Sequence, residues 1–140
     1  MSPAGDVLDL SKIWLFSTSS AKDLRLIRRA LEEVRVPEGR LLCEQGTIGR
    51  EFFLIVEGQA SVKRNNRKVA ILGPGQYFGE LALLDRRPRS ASVISDTDMT
   101  LLVLGQRQFN GVLDSVPALS RKLLAAMATR LREADQKAYN

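Results

Sequence analysis

Between Tyr77 and Val93 the chain reads YFGELALLDRRPRSASV, and four of its residues could act together on one small anionic molecule. Gly79 permits a tight backbone turn, and ELALL directly after it can form a single helical turn. The start of such a turn presents free N–H groups and a partial positive charge, which suit an anion. Arg89 adds a planar fork of donors matched to phosphate oxygens, and Ser90 adds a hydroxyl. Glu80 repels phosphate, so it must face another part of the same molecule, and a sugar hydroxyl is its natural donor. A ligand with one phosphate charge and one ribose hydroxyl on opposite sides satisfies all four groups. The competing reading is a surface turn whose arginines are solvated, and these residues alone leave both open.

The composition removes most other chemistry. The 140 residues include no histidine and one cysteine, Cys43. Ser-His-Asp and Cys-His nucleophile systems, His-ligated zinc or iron and thiolate metal sites are thereby excluded. Carboxylate and lysine chemistry stay formally open, but no catalytic residue, metal ligand or cofactor is assigned, and a binding protein is expected rather than an enzyme. Cys43, in RLLCEQG, reads as a buried small hydrophobe. Twenty-one basic against 16 acidic residues give a net charge of +5, which favours an anionic partner. No run approaches the roughly 18 apolar residues of a membrane span. MSPAGDVLDL lacks the basic start and apolar stretch of a secretion signal, so no membrane partner and a cytoplasmic location are expected.

The elements that must hold these residues can be read from the periodicity. STSSAKDLRLIRRALEEVRV reads as a helix with Ser20 and Asp23 as a capping box. Leu24, Ile27, Leu31 and Val34 share its apolar face, with Arg25, Arg28, Arg29, Glu32 and Glu33 outside it, and Pro37 and Gly39 end it. From Val36 to Gly105 the period shortens to runs such as EFFLIVEG and MTLLVLG, punctuated by glycine. RNNR between ASVK and KVAIL is a hairpin turn, because asparagine tolerates positive φ. The pattern predicts a compact antiparallel barrel or sandwich. After Gly105 the helical period returns in RQFNGVLDS and in a longer helix whose first turn holds Pro117. Leu124, Met127, Leu131, Ala134 and Ala138 make one stripe on that helix, with Leu119, Leu123 and Ala126 beside it. Packing on the barrel and pairing with a second copy both fit so wide a face.

GPGQYFGELALLDRRPRSASV resembles the phosphate-binding cassette of the cyclic-nucleotide-binding domain family, which includes catabolite activator-type regulators, protein kinase A regulatory subunits and nucleotide-gated channels. The similarity covers nearly the whole chain. It implies a mainly β fold with flanking helices: an antiparallel β-roll (a jelly-roll-like double-stranded β-helix) with an N-terminal helix, a short cassette helix and two C-terminal helices. A single domain over 1–140 is expected, with a helical segment at 1–35, the roll at 36–105 containing the cassette at 78–91, and lid helices at 106–140. By the resemblance, Arg89 binds the cyclic phosphate and Glu80 accepts from the ribose 2′-hydroxyl. Phe78, Gly79, Leu81, Ala82, Ser90 and Ala91 complete the ligand site, the backbone of Gly79, Leu81 and Ala82 closing the cradle. Arg86 and Arg87 fall outside the matching motif and read as solvated.

The chain departs from the family pattern in two places. Activator-type members contact adenine through two hydroxyl residues on the last helix, where this chain has Ala134 and Asp135. Asp135 is a possible base contact able to accept from adenine or guanine, so cAMP is the first choice and cGMP remains open. Those regulators also continue into a helix-turn-helix, whereas this sequence stops at Asn140. The expectation is a sensor module without its DNA-binding domain, and direct DNA contact is not expected from Lys63, Arg64, Arg67 and Lys68 at the hairpin tip or from Arg121 and Lys122. Val112 to Ala138 is the expected transmitter, to an unknown downstream protein or to a second copy. A ligand-free scaffold of the same fold would have lost Glu80 or Arg89, and both are present. A cupin-type enzyme would need histidines.

Overall fold

A computed structural model of the chain describes residues 9–139, with side chains except at 81, 82 and 137–139. Eight strands form two four-stranded antiparallel sheets. One has the order β1 (Glu32–Val36), β8 (Met99–Gly105), β3 (Glu51–Glu57), β6 (Tyr77–Phe78). The other has β2 (Leu41–Cys43), β7 (Ser92–Ser95), β4 (Ala60–Arg64), β5 (Arg67–Leu72). Between them lies the roll interior, built from Val36, Cys43, Phe53, Ile55, Phe78, Val93, Leu101 and Val103. β3 and β8 read as unbroken apolar runs because both of their faces are covered. Their alternate residues, Phe52, Leu54, Leu102 and Leu104, face a second core under the helices. Phe52 packs there 5.6 Å from the Phe109 ring, while Phe53 stacks on Phe78 at 4.8 Å inside the roll.

Four helices flank the sheets: α1 (Ala21–Ala30), α2 (Glu80–Asp85), α3 (Gln106–Ser115) and α4 (Pro117–Tyr139). Two short 3₁₀ turns, Leu10–Lys12 and Trp14–Phe16, precede α1 and bury Leu10, Leu15 and Phe16 in the helical core. The expected cap of α1 is present, the Asp23 N–H donating to Ser20 Oγ at 3.1 Å. Its end differs from the expected one. The helix was expected to include Val34, but Leu31 is already extended (φ −76°, ψ 133°) and β1 starts at Glu32, paired with Val103 of β8. The ladder to β8 outweighs the helical preference of Leu31-Glu32-Glu33, a case of tertiary pairing overriding local propensity. The roll therefore begins four residues before the expected Val36.

The stripe on α4 also differs. Leu119 and Leu123 are the buried pair and Met127 packs beside them, whereas Leu124 and Leu131 are 63% and 64% exposed. The hairpin reads as expected, with Asn65 (φ 53°) and Asn66 (φ 65°) both left-handed. Gln45 ties that turn down, donating from Nε2 to Asn65 Oδ1 and accepting from the Asn65 N–H. Among the described residues, no helix is long and apolar enough to cross a membrane. Phe109→Ala empties the centre of the helical core and is expected to destabilise the chain by about 3–5 kcal/mol in a denaturant melt.

Candidate functional site

Arg89 is the best-anchored cation of the chain's cassette. Its backbone is clamped on both sides, the N–H donating to the Thr47 carbonyl at 2.7 Å and the carbonyl accepting from the Gly46 N–H at 2.9 Å. The adjacent Pro88 forms an isolated bridge with Ile48. The residue is only 9% exposed, with Nη1 donating to the Gly79 carbonyl at 3.1 Å and Nη2 to the Glu51 carbonyl at 2.9 Å. Two of its five donors are thus committed, which fixes the plane of the fork and leaves the others for a ligand. Two glycines make room for it. Gly79 takes φ +94°, and a Cβ there would meet the Glu51 carbonyl at 2.6 Å and Arg89 Nη1 at 2.7 Å. A Cβ at Gly49 would land on the guanidinium itself.

Glu80 opens α2 directly after Gly79 and is only 5% exposed. Oε1 accepts from Arg130 Nη1 of α4 at 3.2 Å. Oε2 is buried without a hydrogen-bond partner. A buried carboxylate oxygen left unpaired is costly and rare, so it marks a place for an incoming donor. Burial raises the pKa of Tyr77 above its ordinary range, and the Glu80 carboxylate adds to the effect.

These groups line one cavity of about 440 Å³, within the range that holds small molecules. Arg64, Arg87, Arg89 and Arg130 face it against the carboxylates Glu80 and Asp85, a balance that favours an anion. Of the expected site residues, Phe78, Gly79, Glu80, Arg89, Ser90 and Ala91 all line the cavity. Leu81 and Ala82 lie in the backbone of α2, and their side chains are outside the described residues. Asp135 is exposed and does not line the cavity. Five positions beyond Arg130, it points about 140° away around a regular helix. Arg86 and Arg87 are both exposed, as expected, but Arg87 reaches the cavity mouth. Cys43 is buried in the cavity wall, and burial pushes its thiol up to about 11, against the opposing charge of Arg89.

Sequence reasoning missed Arg130, Gly49 and Arg64, whose Nε donates to the Ser90 carbonyl at 3.2 Å. Gly49 stood in view as turn punctuation, but nothing in the sequence assigned its bare Cα to the Arg89 side chain. Arg130 carries no local signal, being one of several basic residues on an exposed helix.

Residues 33–116 match the family model described as Cyclic nucleotide-binding domain. The chain belongs to that family. The Cyclic AMP receptor protein of Thermus thermophilus is 32% identical over 126 residues, covering 86% of this chain and 58% of that protein. The crystal structure of the catabolite activator protein from the same organism superposes with a TM-score of 0.83 at 32% identity, over 89% of this chain and 61% of the other. The regulatory domain of Toxoplasma gondii PKA, crystallised with cAMP, gives a TM-score of 0.69 at 32% identity, over 74% of this chain and 41% of the other. The chain spans less than two thirds of the length of each of these proteins. As a cyclic nucleotide-binding domain it has the β-roll with flanking helices that the sequence implied. The family match ends before α4, so Arg130 lies outside it.

Proposed function

We propose that this domain binds a cyclic nucleotide in the 440 Å³ cavity as a non-catalytic sensor, with cAMP the first ligand and cGMP the alternative. The observation that carries the reading is the buried, unpartnered Oε2 of Glu80 on the same wall as the uncommitted donors of Arg89. Arg89 takes the cyclic phosphate, helped by the backbone of Gly79, Leu81 and Ala82 and the Ser90 hydroxyl. Glu80 Oε2 accepts from the ribose 2′-hydroxyl. Phe78 and Ala91 supply apolar wall. The preference for cAMP is supported by the names of the Thermus relative and the Toxoplasma structure.

Arg130, rather than Asp135, is the α4 residue assigned to the site. It shares Glu80 with the ligand, so nucleotide binding changes what holds α4 in place. A ligand shifts such an equilibrium only by its differential affinity for the two positions of the helix. α4 thereby serves as lid and transmitter. Leu124 and Leu131, seven residues apart and exposed, give it the seam on which a second copy pairs. A Leu124→Glu, Leu131→Glu double substitution is expected to leave a monomer by light scattering where the parent dimerises.

The deciding experiment is calorimetric titration with cAMP, cGMP and 2′-deoxy-cAMP. The parent is expected to favour cAMP over the 2′-deoxy analogue by a factor of about 10 to 100, since losing the hydroxyl leaves Glu80 unpaired. Glu80→Ala is expected to erase that preference. A parent that binds no cyclic nucleotide would end this reading.

A further inference from the structure

On the side of the helical layer formed by α1 and α3, an open groove of about 690 Å³ runs between the two helices. Its exposed apolar surface comes from Leu26 and Ala30 of α1, above Val112 of α3, which is itself buried in the helical core. Lys22, Arg25 and Arg29 of α1 line it as well, while α3 contributes uncharged Gln108 and Ser115, and no carboxylate lines it. The three cations follow a three-then-four spacing, so they form one row along the helix about 10 Å long. None of them has an ion-pair or hydrogen-bond partner among the described residues.

The helix itself does not account for this row. Like charges at such spacings repel one another. Lys22 sits in the first turn, where the helix dipole disfavours a cation, and only Arg29 in the last turn is favoured by it. The opposite wall is bare at Gly111, where a Cβ would meet nothing within 4 Å. The groove thus offers an apolar strip, one charged bank with every charge positive, and a gap that admits another element closely.

We propose that the α1–α3 groove docks an acidic amphipathic helix from a partner protein. Its apolar stripe lies on Leu26 and Ala30 and passes close over Gly111, and its carboxylates, at positions three and four apart, face Lys22, Arg25 and Arg29. A helix fits better than an extended strand, because both walls repeat at the three- and four-residue spacing of helical anchors. The site is separate from the nucleotide cavity and requires no assumption about that ligand. Because α3 leads through Val116 into α4, a partner seated here lies on the element that precedes the helix carrying Arg130.

The test uses a synthetic helical peptide of about four turns, leucine on one stripe and glutamate on its flank, followed by fluorescence anisotropy and amide NMR shifts. Saturable binding is expected, with shifts confined to α1 and α3. A Cβ at Gly111 meets nothing within 4 Å, so Gly111→Leu adds bulk on the groove wall and replaces a helical glycine, and a denaturant melt checks that the fold is kept. That variant, and Arg25→Glu with Arg29→Glu, are each expected to bind the peptide at least about tenfold more weakly, a loss of about 1.4 kcal/mol. Gly111→Leu should hold cAMP as the parent does, which separates this result from the nucleotide reading. A lysine-for-glutamate peptide should not bind. The proposal falls if the acidic peptide does not bind, or if Gly111→Leu binds it undiminished. It also falls if phosphatidylserine vesicles, but not the peptide, bind with the same dependence on Gly111 and Arg25, since the occupant would then be a membrane surface.

Discussion

Replacing Arg89 with alanine is expected to weaken cAMP binding by a factor of about 100 to 1000, the usual scale when one partner of a buried charge contact is removed. Arg89 is only 9% exposed, so a phosphate that loses its guanidinium faces carbonyls rather than water. The same substitution frees the carbonyls of Gly79 and Glu51, and a loss of about 1–3 kcal/mol of stability is expected alongside. Calorimetry for binding and a denaturant melt for stability separate the two effects. Arg89→Lys should fall between, because an ammonium keeps the charge but cannot hold both carbonyls and the phosphate in one plane. Binding of the alanine variant within about threefold of the parent, under 1 kcal/mol, would remove Arg89 from its assigned role.

Gly49→Ala is expected to weaken cAMP binding by about 10- to 100-fold, with a loss of stability no larger than the about 1–3 kcal/mol expected for Arg89→Ala. Gly49 needs no left-handed φ, so alanine fits its backbone. The added methyl collides with the Arg89 guanidinium, the far end of a flexible side chain that can swing aside. That movement frees the carbonyls of Gly79 and Glu51, as Arg89→Ala does, but strains no backbone. Gly79→Ala makes the instructive comparison. There the backbone has φ +94°, and the new atom meets the Glu51 carbonyl at 2.6 Å, which cannot swing away. Binding should drop in both, and stability should drop further in Gly79→Ala than in Gly49→Ala. Equal melts and equal affinities for Gly49→Ala and the parent would show that Arg89 need not lie over Gly49.

The parts of this molecule that were legible in sequence are those whose information is local. The Asn65-Asn66 turn, the Ser20 cap and Pro117 at the start of α4 depend on neighbours a few residues away, and each is found where the spacing put it. The cassette was legible for a related reason, since Gly79, Glu80, Arg89 and Ser90 lie within twelve consecutive residues. Long-range choices were not. Glu32 and Glu33 favour a helix locally, and only β8, some 70 residues on, makes them a strand. Which leucines of α4 face inward depends on the 3₁₀ turns and α3, so Leu124 could not be told from Leu123 by periodicity alone. Arg130 meets Glu80 across 50 residues, a pairing that no local spacing encodes.

β3 makes adjacent positions answer to different neighbours. Glu51 lends its carbonyl to Arg89, Phe52 leans on Phe109 beneath the helices, and Phe53 lies flat on Phe78 within the roll. Strand geometry advances only about 3.3 Å per residue, so a tug on the first carbonyl reaches both hydrophobic interiors within the width of one side chain. No extended relay is needed for a movement of Arg89 to be felt by the helices.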